Sequence, residues 1–244
     1  MQRSDAGMKN GTLSRAAGVI FLFVIAGCCA VVYRQDVVAA AINALPVVDL
    51  GQPHPWLIDW RLTALKFKPE RCQRVLIAPH ISALSIVDNP LQNGCGWQNS
   101  FRMQQAGGVR ASFDKITCEA AAALALWLEH DVQAAAREIL NARVVAVQSL
   151  GAYSCRNIIG SLSHKDWRSQ HATANAIDIA GFTLADGRTI SVRSQWRGDT
   201  SEARFLKSVH ARACRYFHVV LGPDYNQAHR DHFHLDRGPL QRCR

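Results

Sequence analysis

Three of the chain's ten histidines fall close together near the C-terminal end, in the run His229-Arg230-Asp231-His232-Phe233-His234-Leu235-Asp236. A strand alternates its side chains between two faces, so His232 and His234 are expected to share one. A packed core has little use for two imidazoles beside an aspartate, whereas a metal site does. Upstream, the run Ser169-Gln170-His171-Ala172-Thr173-Ala174-Asn175-Ala176-Ile177-Asp178 offers a further histidine and a carboxylate, with small residues between them that let a loop turn into a strand. Asp178 lies inside the apolar stretch Ala176-Ile177-Asp178-Ile179-Ala180, where an unpaired carboxylate is costly and a cationic partner is expected. His171, Asp178 and His234 together suit a catalytic zinc ion, which keeps three protein ligands and one open position for water. That water needs a base. His232, two residues before the last ligand, is placed for the role, and His229 is placed to orient His232 or a substrate. Asp231 and Asp236 are available for hydrogen bonds behind the ligands. The same two-histidine, one-carboxylate set describes non-haem iron oxygenases. In those sites histidine and carboxylate usually lie closer in sequence, and a spare histidine base has no clear role, so zinc is favoured.

The chain has 244 residues, 48% of them apolar, enough for one sizeable core plus appendages. Its formal charge of +9 favours polyanionic surroundings: nucleic acid, anionic lipid headgroups or anionic cell-wall polymers. There is no aromatic-interleaved basic stripe, RNA-binding signature or zinc-finger spacing, which sets nucleic acid aside. Of the eight cysteines, Cys28 and Cys29 lie in an N-terminal apolar run. The other six are scattered singly and read as three disulfides of an oxidising compartment. Pairing neighbours in chain order predicts Cys72–Cys95, Cys118–Cys155 and Cys214–Cys243.

Residues 16–33 carry no charge, and Arg15 and Arg34 flank them. That length just spans a bilayer, and Arg3, Lys9 and Arg15 would hold the leading residues 1–15 in the cytoplasm. Two other fates stay open. Ile25-Ala26-Gly27-Cys28 resembles a lipobox, and a cleaved secretory signal is the third reading. The apolar residues beyond Cys28 favour an uncleaved inner-membrane anchor with the globular part in the periplasm. Residues 34–56 read as an alanine-rich helix and a proline-broken linker, and 57–244 as the functional domain.

Within that domain Thr117 is a predicted N-cap of a helix running to Leu140. Leu124, Trp127, Leu128, Val132, Ala135 and Ile139 form its core-facing stripe. Arg143–Ser149 reads as a strand, and Asp186-Gly187 as the turn of a hairpin between Ala176–Phe182 and Arg188–Val192. Asp199 and Glu202 resemble a capping box for a helix ending near Phe217. His218–Leu221 and His232–Asp236 are predicted as the last two strands. The expected fold is α+β, with a small antiparallel sheet carrying the zinc site and helices flanking it.

The first motif, Ser169-x-His171-x-x-Ala174-x-Ala176-x-Asp178, resembles the S-x-H-x-x-G-x-A-x-D signature of the D-Ala-D-Ala metallopeptidase and murein endopeptidase group. His229-x-x-His232-x-His234 resembles its second motif. More closely, residues from about 70 to 244 resemble the bacterial extensin-like C-terminal domain family. Tyr153-Ser154-Cys155-Arg156, Ala174–Asp178, Ala213-Cys214-Arg215 and the His229–Asp236 run carry that similarity. The resemblance implies zinc on His171, Asp178 and His234, with His232 as general base. It also implies that Arg156 matches an arginine that stabilises the developing oxyanion. Ala174 departs from the usual glycine, and its methyl group is expected to narrow the cleft. The function expected is zinc-dependent hydrolysis of a peptide bond in peptidoglycan. The alternative is a zinc-containing domain that only binds wall polymer or polysaccharide.

Overall fold

A computed structural model describes residues 37–53 and 56–244, with scattered positions between 20 and 34. The chain divides into two compact units, Met1–Pro46 and Val47–Arg244. In the first, residues 37–44 are helical, as their alanine-rich sequence predicts. Most of the expected membrane anchor, 16–33, lies outside the described residues. Among those residues no helix is long and apolar enough to cross a membrane, so that expectation rests on hydropathy alone and is not supported.

The second unit opens with helices α1 (Ile58–Lys66) and α2 (Pro69–Leu76). Strand β1 (Ser82–Ser85), the hairpin β2 (Asn89–Gln92) and β3 (Cys95–Trp97), β4 (Ser100–Ala106) and β5 (Val109–Thr117) follow. A long helical run comes next: α3 (Cys118–Leu126), a π-helical turn (Trp127–Val132) and α4 (Gln133–Leu140). Beyond β6 (Val144–Gly151) a loop leads through a 3-10 turn (Gln170–Thr173) into β7 (Ala176–Leu184) and β8 (Thr189–Ser191). The chain ends with α5 (Val192–Gln195), α6 (Ser201–Ala213), β9 (Val219–Leu221), a 3-10 turn (Gln227–His229), β10 (Phe233–Asp236) and β11 (Arg242–Cys243).

The main sheet has nine strands in the order β1-β4-β5-β6-β7-β10-β9-β11, with β8 also pairing β7. Pairs β5–β6 and β9–β11 are parallel. The fold is therefore mixed α/β around a large mixed sheet, not α+β around a small antiparallel one. The added strands come from residues 82–117, whose pattern is regular once seen. In β4 Phe101 and Met103 point in while Arg102 and Gln104 point out; in β5 Val109, Ala111 and Phe113 alternate with Arg110, Ser112 and Asp114. The helical run between β5 and β6 is long enough to carry the chain back across the sheet, which makes that pair parallel.

That run is the centre of the core. A single apolar stripe was expected, yet every residue from Cys118 to Leu128 is buried, because α3 is enclosed by α1 and by β4 and β5. Trp127 meets Phe182 of β7 at a ring separation of 6.1 Å, and Phe182 meets Phe205 of α6 at 5.3 Å. The N-cap of α6 is Thr200, whose Oγ1 accepts from Ala203 N at 3.1 Å, rather than the expected Asp199. Three disulfides close the unit: Cys72–Cys118, Cys95–Cys155 and Cys214–Cys243. Only the last matches the pairing in chain order. The sheet brings α2 to the start of α3 and the β2–β3 hairpin to the loop after β6, so neighbours in space win over neighbours in sequence.

Candidate metal centre

Two adjacent strands build the site by register. β7 and β10 are antiparallel with His234 directly opposite Asp178, so the two side chains leave the same face of the sheet. Their neighbours Ile177, Ile179, Phe233 and Leu235 point the other way into the core. The third residue comes from the 3-10 turn ahead of β7. Ser169 starts that turn by accepting from His171 N, and Ala174 ends it in the left-handed region at φ 55°. The turn throws His171 back over Asp178.

His171 Nε2 lies 3.1 Å from His234 Nδ1 and 3.2 Å from Asp178 Oδ1, and His234 Nδ1 lies 3.0 Å from the same oxygen. The donor set fits a small divalent ion. A tetrahedral ion with bonds of about 2.0–2.1 Å sets its ligands about 3.3–3.4 Å apart, close to the spacing already present. The outer ring nitrogens are held as such a site needs. His171 Nδ1 donates to Ala152 O at 3.0 Å and His234 Nε2 donates to Asp236 Oδ2 at 3.0 Å. Each imidazole then turns its other nitrogen inward. All three residues are largely buried, and they form a group that could hold a metal ion.

The electrostatics follow from that packing. Burial pushes the Asp178 carboxyl up, but its close contacts with the His171 and His234 rings outweigh it and hold the group well below the usual carboxylate range. Burial pulls His234 down, yet its hydrogen bonds to Asp178 and Asp236 carry it up to about 9. Without a metal, His234 is an imidazolium between two carboxylates.

His232 was expected on the strand with His234. It sits instead on the bend one residue before β10 and still reaches the site. Its Nδ1 donates to Asp231 Oδ1 at 2.9 Å, and its Nε2 is 3.8 Å from Asp178 Oδ1. His229, in the second 3-10 turn, donates from Nδ1 to Asn226 Oδ1 at 2.7 Å, with its ring 5.4 Å from that of His232 and 5.7 Å from that of His234. Burial, and then the nearby His234 and His232, lower it to about 4, so it is neutral at physiological pH. Arg156 follows Cys155 in the loop and lines the same cleft. Its Nη1 donates to Asn157 O at 3.4 Å, and no carboxylate among the described residues pairs with it.

The cleft has a volume of about 420 Å³. One wall is the loop carrying Arg156, Trp167 and Arg168, and the other is the C-terminal tail around Leu240 and Arg242. The bridge Cys95–Cys155 and the bond from Arg168 Nε to Asn93 O (2.9 Å) tie the loop to the β2–β3 hairpin. Ala174 is fully buried and does not line the cleft, so its methyl group does not narrow it. Neither Ala152, which orients His171, nor Asn226, which orients His229, stood out in the sequence. The first acts through its backbone, and the second is one of many asparagines in turns.

Fold and site define a mixed α/β domain with a buried His–Asp–His group able to hold a metal ion at the foot of an arginine-lined cleft. The chain belongs to the family described as extensin-like protein C-terminus, whose model matches residues 70–244. No curated protein and no solved structure matches it.

Proposed function

We propose that this domain is a zinc-dependent hydrolase that cleaves a peptide bond in peptidoglycan. The observation that carries the reading is the pairing of a three-ligand group with a separate, oriented base. A binding domain needs the ligands but has no use for His232, whose Nδ1 is taken by Asp231 and whose Nε2 faces Asp178 at 3.8 Å. The resemblance of Ser169–Asp178 and His229–His234 to the D-Ala-D-Ala metallopeptidase motifs supports the same chemistry. His171, Asp178 and His234 are the residues that would hold zinc. The ion, when bound, supplies Lewis acidity and lowers the pKa of a water molecule. His232 Nε2 takes a proton from the attacking water, and the Asp231 carboxylate stabilises the imidazolium that results. The Arg156 guanidinium, which no carboxylate among the described residues holds, offers a positive charge to an oxyanion developing in the cleft. Arg168 and Arg242, which also line the cleft, suit an anionic wall polymer, as does the chain's charge of +9. The three disulfides support an oxidising compartment such as the periplasm.

The test is digestion of purified sacculi by the full chain, with and without chelator, followed by mass spectrometry of the released muropeptides. New peptide ends that disappear with chelator and return with zinc support the proposal. Saturable binding to sacculi with no new ends in either condition refutes hydrolysis and leaves the binding domain.

A further inference from the structure

Arg237 follows the last strand of the metal site and its side chain is fully buried. A guanidinium can be buried only if its donors are met. Here Nη2 donates to Asp59 Oδ1 and to Thr63 Oγ1, both at 2.9 Å, and Nε lies 3.4 Å from Glu119 Oε2. Nη1 donates to Tyr216 O. Two of these partners, Asp59 and Thr63, belong to α1, which lies ahead of the family match at residue 70. Asp59 has a second hold on the same region: its Oδ1 accepts from His218 Nε2 at 2.7 Å. His218 in turn donates from Nδ1 to Gly238 O and from its backbone to Asp236 O at 2.8 Å. One carboxylate thus grips both sides of the turn Asp236-Arg237-Gly238. Within that turn Asp236 Oδ1 accepts from Gly238 N at 2.7 Å while its Oδ2 accepts from His234 Nε2.

We propose that Asp59 is a positioning residue for the metal centre: through Arg237 and His218 it fixes the turn whose carboxylate, Asp236, sets the tautomer and tilt of His234. This rests on the metal-site reading above and adds a residue from outside the family-matched region. Loss of a direct partner of a ligating histidine costs about 10- to 100-fold in metal affinity. Asp59 acts one link further back, and its loss is expected to weaken zinc binding about three- to tenfold.

The experiment uses the full chain as wild type, Asp59→Ala, Asp59→Leu and the control Asp49→Ala, whose carboxylate accepts from the exposed Gly51 amide. Asp59→Leu keeps the bulk and removes the acceptor oxygens should Asp59→Ala fail to fold. Imidazole nitrogen–proton spectra of the chelated proteins report the His234 ring, and zinc titration against a competing chelator reports affinity. The proposal expects the His234 ring signals to move in the Asp59 variants and stay in place in Asp49→Ala. Unchanged His234 signals in a folded Asp59→Leu protein overturn it, even if the variant is less stable. Absence of zinc binding by the wild type refutes the metal reading instead, and the ring spectra still decide the role of Asp59.

Discussion

Metal binding at this site should compete with the proton that His234 carries. His234 donates from Nε2 to Asp236 and faces Asp178 with Nδ1 at 3.0 Å, and these two carboxylates raise it to about 9. At pH 7 the group is therefore protonated in about 99 of 100 metal-free molecules. A ligating histidine must be neutral, so the ion has to displace that proton. With a gap of about two units, zinc affinity at pH 7 should lie about 100-fold below its high-pH plateau and climb about tenfold per unit between pH 7 and 9. The sign for stability runs the other way in the metal-free protein. A pKa raised in the folded state contributes stability below the unfolded value of about 6.5, and this is lost as pH rises through about 9. Chelated protein should therefore lose stability over that range, while zinc-loaded protein should not. Calorimetric titration in two buffers of different ionisation enthalpy counts the protons released. Asp236→Asn, which removes one of the two carboxylates, should reduce the count near pH 9, where the wild-type group is about half protonated. A pH-independent affinity, or a proton count that Asp236→Asn leaves unchanged, would refute the reasoning.

Other expectations follow from the same geometry. Replacing both Cys95 and Cys155 by alanine opens a cross-link spanning 60 residues, which the chain-entropy relation values at about 4 kcal/mol. Urea unfolding should show a loss of that order, and a loss below about 1 kcal/mol would contradict the chain-entropy reasoning. His232→Ala should keep its zinc and fold yet lose turnover by about 100-fold or more on muropeptides; a wild-type rate would move the base role to His229. Phe182→Ala removes a fully buried ring between Trp127 and Phe205, and should cost about 3–5 kcal/mol in the same unfolding assay while leaving metal content unchanged.

The metal group was legible because its residue types are out of place. An aspartate between Ile177 and Ile179 and histidines around Phe233 break a β pattern, and the chemistry of those residue types was enough to group them with His171. The hairpin around Asp186-Gly187 and the strand after Ala142 were legible from local signals as well. The remainder depended on distant partners. Strands β1, β4 and β5 pair with shifts in register, and no local signal says that β5 joins β6 in parallel across an entire helical run. Disulfide pairing followed that topology and not chain order. His232 kept its direction toward the site while lying outside the strand, since the bend at Asp231 and His232 substitutes for one more step of pleat. The clasp of Asp59 on Arg237 spans 178 residues and joins charges that each look like ordinary surface groups in the sequence.

The central claim is that His171, Asp178 and His234 together hold zinc. Metal analysis of the purified full chain, alongside His171→Ala and Asp178→Ala, tests it most directly. The account predicts about one zinc per wild-type chain and loss of most of it in either variant, because a site with three protein ligands cannot spare one. A wild-type protein that takes up no zinc, or variants that retain the wild-type content, would contradict it.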